Sequence, residues 1–264
     1  MQLIREFPNI LALKKQGYVC ADLHFHSTFS DGRSTPQEIV QKAKELGIGF
    51  AITDHNEVRG SLEASTEDVL IIPSIEVTSI DKKDLLIYFY KFEDLKDFYD
   101  KYVKNNKFPN RGLNLNKLLL KFSEIIKHAR EYKCVLVLPH PYTIKPKDSW
   151  RFIESSNELI EEIDCVEILN GLLNKRRNQK AMVWGEKHNK SPFGGSDGHH
   201  LGALGNVVTA IKCKPNISSF LDNLKEGNSI VVGEELSLRK AFSSRTAIIK
   251  NNVIFRRKAI MGQR

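Results

Sequence analysis

Short apolar runs alternate with longer amphipathic stretches along most of the chain, from Tyr18 onwards. The first unit illustrates the pattern. Tyr18 to His26 predicts a strand, and Thr35-Pro36-Gln37-Glu38 then provides an N-cap, a first-turn proline and a capping-box glutamate for a helix that Gly47 ends. Repeated β-α units of this kind are typical of α/β proteins with a mostly parallel sheet.

Further segments have the length and the β-branched or aromatic content of strands. They are Gly49 to Thr53, Val69 to Val77, Leu85 to Tyr90, Cys134 to Leu138, Cys165 to Leu169, Phe193 to Ser196, Val207 to Ile211 and Ser229 to Val232. Amphipathic spacing predicts helices over Leu62 to Thr66, Glu93 to Lys104, Leu115 to Glu131, Lys175 to Asn189 and Ile217 to Glu226. About seven or eight β-α steps predict a closed or nearly closed barrel, and periodicity leaves an open doubly wound sheet as the alternative.

The length of the chain, 264 residues, is one that a single barrel-type domain reaches. A hydrophobic fraction of 41% and a charged fraction of 27% are those of an ordinary globular protein. We therefore expect one domain over residues 1–264, with its core at about 18–232 and a basic C-terminal tail at 237–264.

The charge balance favours anionic partners. A formal net charge of +8 and a pI near 9.2 suit phosphate-bearing small molecules or nucleic acid. No stretch approaches the roughly 18 apolar residues of a membrane span, and the N-terminus lacks the apolar run of a signal peptide. We expect a cytoplasmic protein without a membrane partner, whose four widely spaced cysteines are reduced.

Chemistry-bearing side chains follow the predicted strands at the points where they end. In Asp22-Leu23-His24-Phe25-His26, the period of two places both imidazoles on one face of the strand, where they can reach the same ion. Asp31 adds a carboxylate on the tight loop that follows. His55 comes directly after the strand at Gly49 to Thr53.

Three more strands carry the same kinds of side chain. Glu76 stands inside an apolar strand, where a carboxylate is costly unless it is paired, protonated or bound to a cation. His140 follows an apolar strand, and Asp197 and His199 follow another. Because strand carboxyl ends converge on one rim in α/β proteins, we expect these residues to be neighbours.

Imidazole and carboxylate ligands without thiolates suit Zn, Mn or Fe ions. A pair of such ions lowers the pKa of a bridging water and withdraws charge from phosphoryl oxygens, which is what phosphoester hydrolysis requires. Such a site would suit a metal-dependent phosphoric ester hydrolase.

The ordered motifs resemble those of the polymerase and histidinol phosphatase (PHP) superfamily, over about residues 18 to 232. They are His24-Phe25-His26-Ser27 with Ser30-Asp31-Gly32, Thr53-Asp54-His55, Pro73 to Glu76, Pro139-His140-Pro141, Val166 to Asn170 and Gly195-Ser196-Asp197-Gly198-His199. The resemblance implies a distorted (β/α)7 barrel with two or three divalent ions and ester hydrolysis by metal-bound hydroxide.

Carried over by position, the resemblance also implies a ligand set. The implied ligands are His24, His26, Asp31, His55, Glu76, His140, Asp197 and His199. Glu76 would bridge two ions, and Glu76 and Asp197 would hold the metal-bound water.

One position departs from the family pattern. The family usually has a histidine opening the strand after the glutamate motif, whereas this chain has Asp84 there. Asp84 is either a ligand that retains a third ion or an ordinary surface charge at a strand start. For the substrate phosphate, Arg33 after the Asp31 loop and Arg59 after the His55 loop are candidates, with solvated surface arginines as the alternative.

The expected substrate is a small phosphorylated metabolite, a nucleotide or an oligonucleotide end, as a mono- or diester. Two other hypotheses stay open. One is a nucleic-acid-associated accessory module with weak or lost activity, which the net charge of +8 allows. The other is a barrel amidohydrolase, which predicts a carboxylated or bridging lysine on a strand.

Overall fold

A computed structural model gives the fold for residues 1–65, 68–108 and 117–235. The basic tail expected at 237–264 lies outside these residues, as do the ends of two predicted helices, at residue 66 and at 115–116. Among the described residues, no helix has both the length and the apolar character to cross a membrane.

Ten strands and nine α-helices occur in the described ranges. The strands are β1 (Gln2–Ile4), β2 (Val19–Phe25), β3 (Gly49–Ile52), β4 (Ser74–Thr78), β5 (Asp84–Phe89), β6 (Cys134–Leu138), β7 (Cys165–Asn170), β8 (Ser191–Gly195), β9 (Val207–Ile211) and β10 (Ser229–Gly233). The helices are α1 (Ile10–Lys15), α2 (Pro36–Leu46), α3 (Arg59–Ala64), α4 (Phe92–Phe98), α5 (Phe122–Ala129), α6 (Trp150–Glu154), α7 (Asn157–Glu162), α8 (Lys175–Lys187) and α9 (Ile217–Lys225).

The strands form two five-stranded sheets, in the orders β1-β10-β9-β2-β3 and β4-β5-β6-β7-β8. β2–β3, β6–β7, β7–β8 and β1–β10 pair in parallel, and the other four pairs are antiparallel. β4 and β5 are antiparallel because five residues join them, which is too short for the crossover that a parallel pair needs. The sheets are thus more mixed than the alternating pattern predicts.

Isolated bridges join the two sheets in two places. Phe25 of β2 bridges Gly198, which follows β8, and the pairs Phe50–Ile71 and His55–Glu76 bridge the β3 segment to the β4 segment. The mixed α/β class is confirmed. Among the described residues these bridges do not extend into continuous ladders, so a closed (β/α)7 barrel is not confirmed.

Helix α2 shows how local sequence sets the elements. The Thr35 side chain accepts from the Glu38 amide and the Glu38 carboxylate accepts from the Thr35 amide, as the predicted capping box requires. The helix ends at Gly47, whose φ of 68° is left-handed. Its apolar face packs through Ile39 and Ala43 into the core.

The structure also differs from the predicted elements. β4 begins at Ser74 instead of Val69, because Pro73 has no amide to donate to a ladder. The helix predicted from Glu93 to Lys104 changes from α to π geometry at Tyr99. The short elements β1, α1, α6 and α7 have too few residues for a periodic signal.

Candidate metal centre

β2 carries the first two imidazoles into a buried pocket. His24 and His26 are both fully buried, with ring centroids 5.3 Å apart. The Nε2 atoms of His24 and His26 lie 3.5 and 3.2 Å from Oδ1 of Asp197, which follows β8. Side chains from strands about 170 residues apart therefore point at one spot, as the strand-end argument predicts.

Glu76 lies at the middle of the cluster, on β4, with its side chain 1% exposed. One oxygen, Oε1, is 3.1 Å from Nε2 of His140. The other, Oε2, is 3.1 Å from Nδ1 of His55 and 3.6 and 3.5 Å from Nε2 of His24 and His26. Four imidazoles from three strand ends, those of β2, β3 and β6, thus surround one carboxylate.

Asp31 and His199 form the outer part of the cluster. Nε2 of His199 is 3.2 Å from Oδ1 of Asp31. Nδ1 of His26 and Nε2 of His55 lie 3.7 and 3.9 Å from the same carboxylate. The His26 and His199 rings stack at 4.5 Å. All eight residues of the implied ligand set therefore lie in one pocket.

Several atoms of the pocket lack hydrogen-bond partners among the described residues. These atoms are Nε2 of His24, both ring nitrogens of His26, Nδ1 of His55, Nδ1 of His140 and Oε2 of Glu76. Burying polar atoms without partners costs about 1 to 3 kcal/mol each. A bound cation removes this cost for those that face it, so the residues present fit a metal.

Four groups of three side chains have ligand atoms close enough to hold an ion. The groups are His24, His26 and Asp197; His24, Glu76 and His140; His26, Asp31 and His199; and His26, His55 and Glu76. His26 belongs to three of them and His24 to two. The four groups consequently cannot all be filled at once.

Neighbouring charges shift the pKa values of several side chains in the pocket. Burial by itself disfavours the imidazolium of His24, yet the Asp197 and Glu167 carboxylates raise the pKa of His24 well above its usual value. Burial likewise opposes and Asp31 favours the charged form of His199, whose pKa rises to about 9. Despite burial, His55 and His140 hold the pKa of Glu76 well below the ordinary range. The carboxylates are therefore ionised and ready to bind cations.

Glu167 on β7 orients two of the histidines. Its Oε1 accepts from His24 Nδ1 at 2.9 Å, which leaves Nε2 of His24 facing the pocket. Its Oε2 accepts from the His140 amide at 2.7 Å and from Nδ2 of Asn170 at 2.9 Å. The motif over Val166 to Asn170 indicated this strand, but not the role of Glu167, because the partners lie far away in the sequence.

Two other aspartates hold the loops of the pocket. The Asp22 carboxylate accepts from the amides of Ser196 and Gly205, which fixes the Asp197 loop against β2. The Asp54 carboxylate accepts from the amide and hydroxyl of Ser27 and from the Ser30 hydroxyl. Each lies next to a metal motif in the sequence, yet its role appears in the contacts alone.

The backbone is strained at two of the candidate ligands. His140 and Asp197 have φ values of 30° and 51°, a left-handed region that costs non-glycine residues about 1 kcal/mol or more. Gly195 lets the Asp197 loop approach β2, since a Cβ there would lie 2.4 Å from Cβ of His24. Strain that persists beside a close approach of two strands is typical of a functional site.

Asp84 lies at the edge of the cluster. It is fully buried at the start of β5, so the surface-charge alternative is wrong. Its Oδ1 accepts from the Thr78 hydroxyl at 2.6 Å, and its Oδ2 is 3.0 Å from Nζ of Lys147 and 4.0 Å from Nε2 of His140. Burial disfavours the ammonium of Lys147, but the Asp84 and Glu76 carboxylates raise its pKa above the ordinary value. Sequence reasoning missed Lys147, which has no motif around it.

The two candidate phosphate-binding arginines differ. The Arg33 amide donates to the His199 carbonyl at 3.0 Å, and its exposed side chain makes no ion pair with a described residue. Arg59 is paired with Glu57 at 2.9 Å and lies 4.7 Å over the Phe29 ring. Of the two arginines, Arg33 therefore has the side chain that is more available to bind a substrate phosphate.

A mixed α/β fold with a buried His/Asp/Glu cluster at its strand ends defines the general class. Comparison with known proteins gives the family: the PHP domain model matches residues 22–180, and a PHP-associated model matches residues 175–229. This chain belongs to the PHP family.

Individual relatives match shorter parts of the chain. The 5'-3' exoribonuclease Rnm of Salmonella typhimurium is 36% identical over 78 residues, 26% of this chain and 26% of that protein. An error-prone DNA polymerase of Mycobacterium bovis is 45% identical over 53 residues, 18% of this chain and 5% of the polymerase. These matches span about a quarter or less of the relatives.

Solved structures share the fold over more of the chain. The lesion-specific endonuclease PfuEndoQ of Pyrococcus furiosus has a TM-score of 0.65 and 19% identity, covering 81% of this chain and 57% of that one. A two-domain protein of Bacteroides vulgatus, described as containing a predicted PHP-like metal-dependent phosphoesterase, has a TM-score of 0.55 and 15% identity, covering 95% and 74%.

Proposed function

We propose that this protein is a metal-dependent phosphoesterase that hydrolyses a phosphate mono- or diester of a nucleotide, an oligonucleotide end or a small phosphorylated metabolite. One observation carries the proposal. Buried imidazole and carboxylate atoms from separate strand ends face one pocket, and several have no hydrogen-bond partner among the described residues. PHP membership and the nucleases among the relatives support the same chemistry.

We further propose that the cluster holds two ions. Glu167 uses Nδ1 of His24, so His24 has one nitrogen left and serves one ion. If His24, Glu76 and His140 form one site, His26 can complete one more, either with Asp31 and His199 or with His55 and Glu76. In the second case Glu76 would belong to both sites. The donor set suits Zn, Mn or Fe.

Asp84 then needs no third ion. The Lys147 ammonium, 3.0 Å from Oδ2 of Asp84, already supplies a positive charge on that side of Glu76. This pairing supports the two-ion site over the three-ion site that the superfamily also uses.

The residues divide the chemistry among them. When bound, the ions would acidify water and withdraw charge from the phosphoryl oxygens. Glu76 and Asp197, both ionised, are hydrogen-bond acceptors that would hold and orient the attacking water in the pocket. Arg33 and Arg59 at the rim are placed to donate to substrate oxygens, and Arg33 is the better candidate because Glu57 already occupies Arg59.

The competing functions have less support. An accessory module that has lost its activity should have lost several ligands, whereas all eight of the implied set meet here. An amidohydrolase of the carboxylated-lysine kind needs a neutral lysine amine at the metals. Lys147, the lysine that contacts the edge of the cluster, has a raised pKa that keeps it an ammonium.

Metal removal tests the proposal. The purified protein is expected to contain stoichiometric transition metal by elemental analysis and to hydrolyse an aryl phosphate monoester or diester. Chelation should lower turnover by at least about a thousandfold, and added Zn²⁺, Mn²⁺ or Fe²⁺ should restore it. Undiminished turnover by metal-stripped, folded protein would contradict the mechanism, and circular dichroism checks the fold.

A further inference from the structure

A second concave site lies beside the metal centre. It is a groove of about 580 Å³ between the loop after β6 and the first turns of α8. We call it the basic groove, and the lining residues that matter are Tyr142, Lys145, Trp150, Arg176, Arg177 and Lys180. The implied ligands and the rim arginines do not line it.

Both walls of the basic groove are tied to the metal centre. On one side, the Thr143 amide donates to the His140 carbonyl at 2.9 Å, within the loop that continues to Trp150. On the other, Asn178 of α8 bonds the amide and the carbonyl of Asn170 at 3.1 Å. Asn170 in turn donates to Asp197 at 3.1 Å. The groove therefore begins two residues after the candidate ligand His140, on the loop that follows β6.

The cations of the basic groove have no carboxylate partners among the described residues. Lys145, Arg176, Arg177 and Lys180 make no ion pair there, whereas Lys187 at the far end of α8 pairs with Glu154 at 2.9 Å. Asp148 also lines the groove, but it lies 3.9 Å from Lys83. The groove consequently carries an uncompensated positive charge.

The position of these cations is unfavourable for the helix itself. Arg176 and Arg177 follow the N-cap of α8, and the first turn holds no acidic residue. Positive side chains are destabilising at a helix N-terminus, whose free amides already attract anions. A bound phosphate would compensate the arginine side chains and the partial positive charge of the helix N-terminus at the same time. This favours an anionic ligand.

An aromatic pair forms another part of the lining. The Tyr142 and Trp150 rings stack with centroids 5.1 Å apart and planes 20° apart, and both side chains are half-buried. Lys180 lies 5.8 Å from the Tyr142 ring, and the Arg151 guanidinium lies 4.7 Å over the Trp150 ring, where a stacking base would displace it. Flat aromatic surfaces among cations are the features that bind single-stranded nucleic acid, by base stacking and phosphate contacts.

We propose that the basic groove binds the part of a single-stranded oligonucleotide that extends from the phosphate at the metal centre. One base stacks on the Tyr142–Trp150 pair, and the neighbouring phosphates contact Arg176, Arg177 and Lys180. The assignment of the groove as part of the substrate site rests on the proposed phosphoesterase function. Binding to the groove can be measured without it.

Salt-dependent binding tests the phosphate contacts. The probe is a short fluorescein-labelled oligonucleotide with hydrolysis-resistant phosphorothioate linkages. The holoenzyme is titrated into the probe, and the fluorescence anisotropy of the label reports binding. The logarithm of the affinity falls with the logarithm of the salt concentration, and each phosphate contact adds about 0.7 to the steepness of this fall. The double variant Arg176→Gln/Arg177→Gln should therefore show a fall that is less steep by about 1.4. Lys187→Gln is the matched control on the same helix, since Lys187 is already paired. An unchanged slope in the double variant would overturn the phosphate contacts.

The stacking contact has a separate signature. Trp150→Ala should weaken binding about 5- to 100-fold at every salt concentration, with the slope unchanged. The probe should also quench tryptophan fluorescence in the wild type and much less in Trp150→Phe, which retains a stacking ring while the buried Trp184 remains. Equal quenching in both proteins would overturn the assignment of the aromatic pair.

Kinetics and competition complete the test. The double arginine variant should lower the ratio of kcat/KM for an oligonucleotide to kcat/KM for an aryl phosphate about tenfold. A mononucleotide that competes with the probe as well as an unlabelled oligonucleotide does would overturn the single-strand assignment in favour of a small ligand.

The two proposals fail in different ways. If no ester is hydrolysed, the phosphoesterase function fails while the slope and the quenching still report on the groove. If esters are hydrolysed but the slope and the quenching are those of the control, the groove assignment alone is wrong.

Discussion

The metal centre and the basic groove lie side by side but are built in opposite ways. The centre draws side chains from strand ends between His24 and His199, buries them and balances imidazoles against carboxylates. The groove takes its lining from one loop and the start of α8 and leaves its cations unpaired. Reactive groups need the rigid geometry of strand ends. Substrate contacts can lie on loops, whose sequence can vary without disturbing the elements that hold the reactive groups.

The largest expected effect is the loss of turnover when a candidate metal ligand is replaced. Asp197→Asn removes a charge that faces His24 and His26, so turnover of every ester, small or long, should fall by at least about a thousandfold. His128→Ala is the control, since His128 of α5 pairs with Glu131 and belongs to none of the ligand groups of the cluster. Comparable loss in the control, or an active Asp197→Asn enzyme with normal metal content, would contradict the assignment.

A smaller effect is expected from the residue that orients the histidines. In Glu167→Gln an amide group replaces one of the two oxygens that accept from His24, Asn170 and the His140 amide. Metal affinity should fall about 10- to 100-fold, as for other residues that support ligands. Metal-ion titration measures it, and Glu167→Asp should recover part of the loss. Unchanged metal affinity would show that Glu167 acts on the fold alone.

Metal binding at the centre and probe binding in the groove should differ in their dependence on pH. An ion at His199 must displace a proton held with a pKa of about 9. Metal affinity should therefore fall as the pH drops below that value, by up to about tenfold per pH unit for each proton displaced. The groove arginines stay charged over this range, so probe binding should change little. Calorimetry in buffers of different ionisation enthalpy counts the protons, and zero release would contradict the assignment of His199.

The smallest effect lies at the rim between the two regions. Arg33→Gln should raise KM for an aryl phosphate about fivefold, the value of one exposed charge-assisted contact. Arg59→Gln should change KM less than about twofold, because Glu57 already holds its guanidinium. Initial-rate kinetics compare the two variants. A larger effect from Arg59 would reverse this ranking.

Local patterns in the sequence predicted much of the fold. The strands at Cys134–Leu138 and Val207–Ile211 have the predicted bounds, and α2 begins and ends at its predicted caps. The expected parallel order was only partly right, because strand direction depends on long-range pairing that periodicity does not report. The closed barrel stays unconfirmed for the same reason, since closure depends on how segments remote in the chain, such as those of Phe25 and Gly198, meet.

Which side chains stand at strand ends can be read from the amino-acid order, because the period of two and the apolar runs are local properties. Together with the resemblance to the PHP motifs, that was enough to bring eight candidate ligands into one hypothesis. The tertiary structure decided what each one faces: Glu76 among four imidazoles, His24 held by Glu167, Asp84 paired with Lys147. It also created the basic groove, because unpaired charge and ring stacking depend on distances between segments that are remote in the chain.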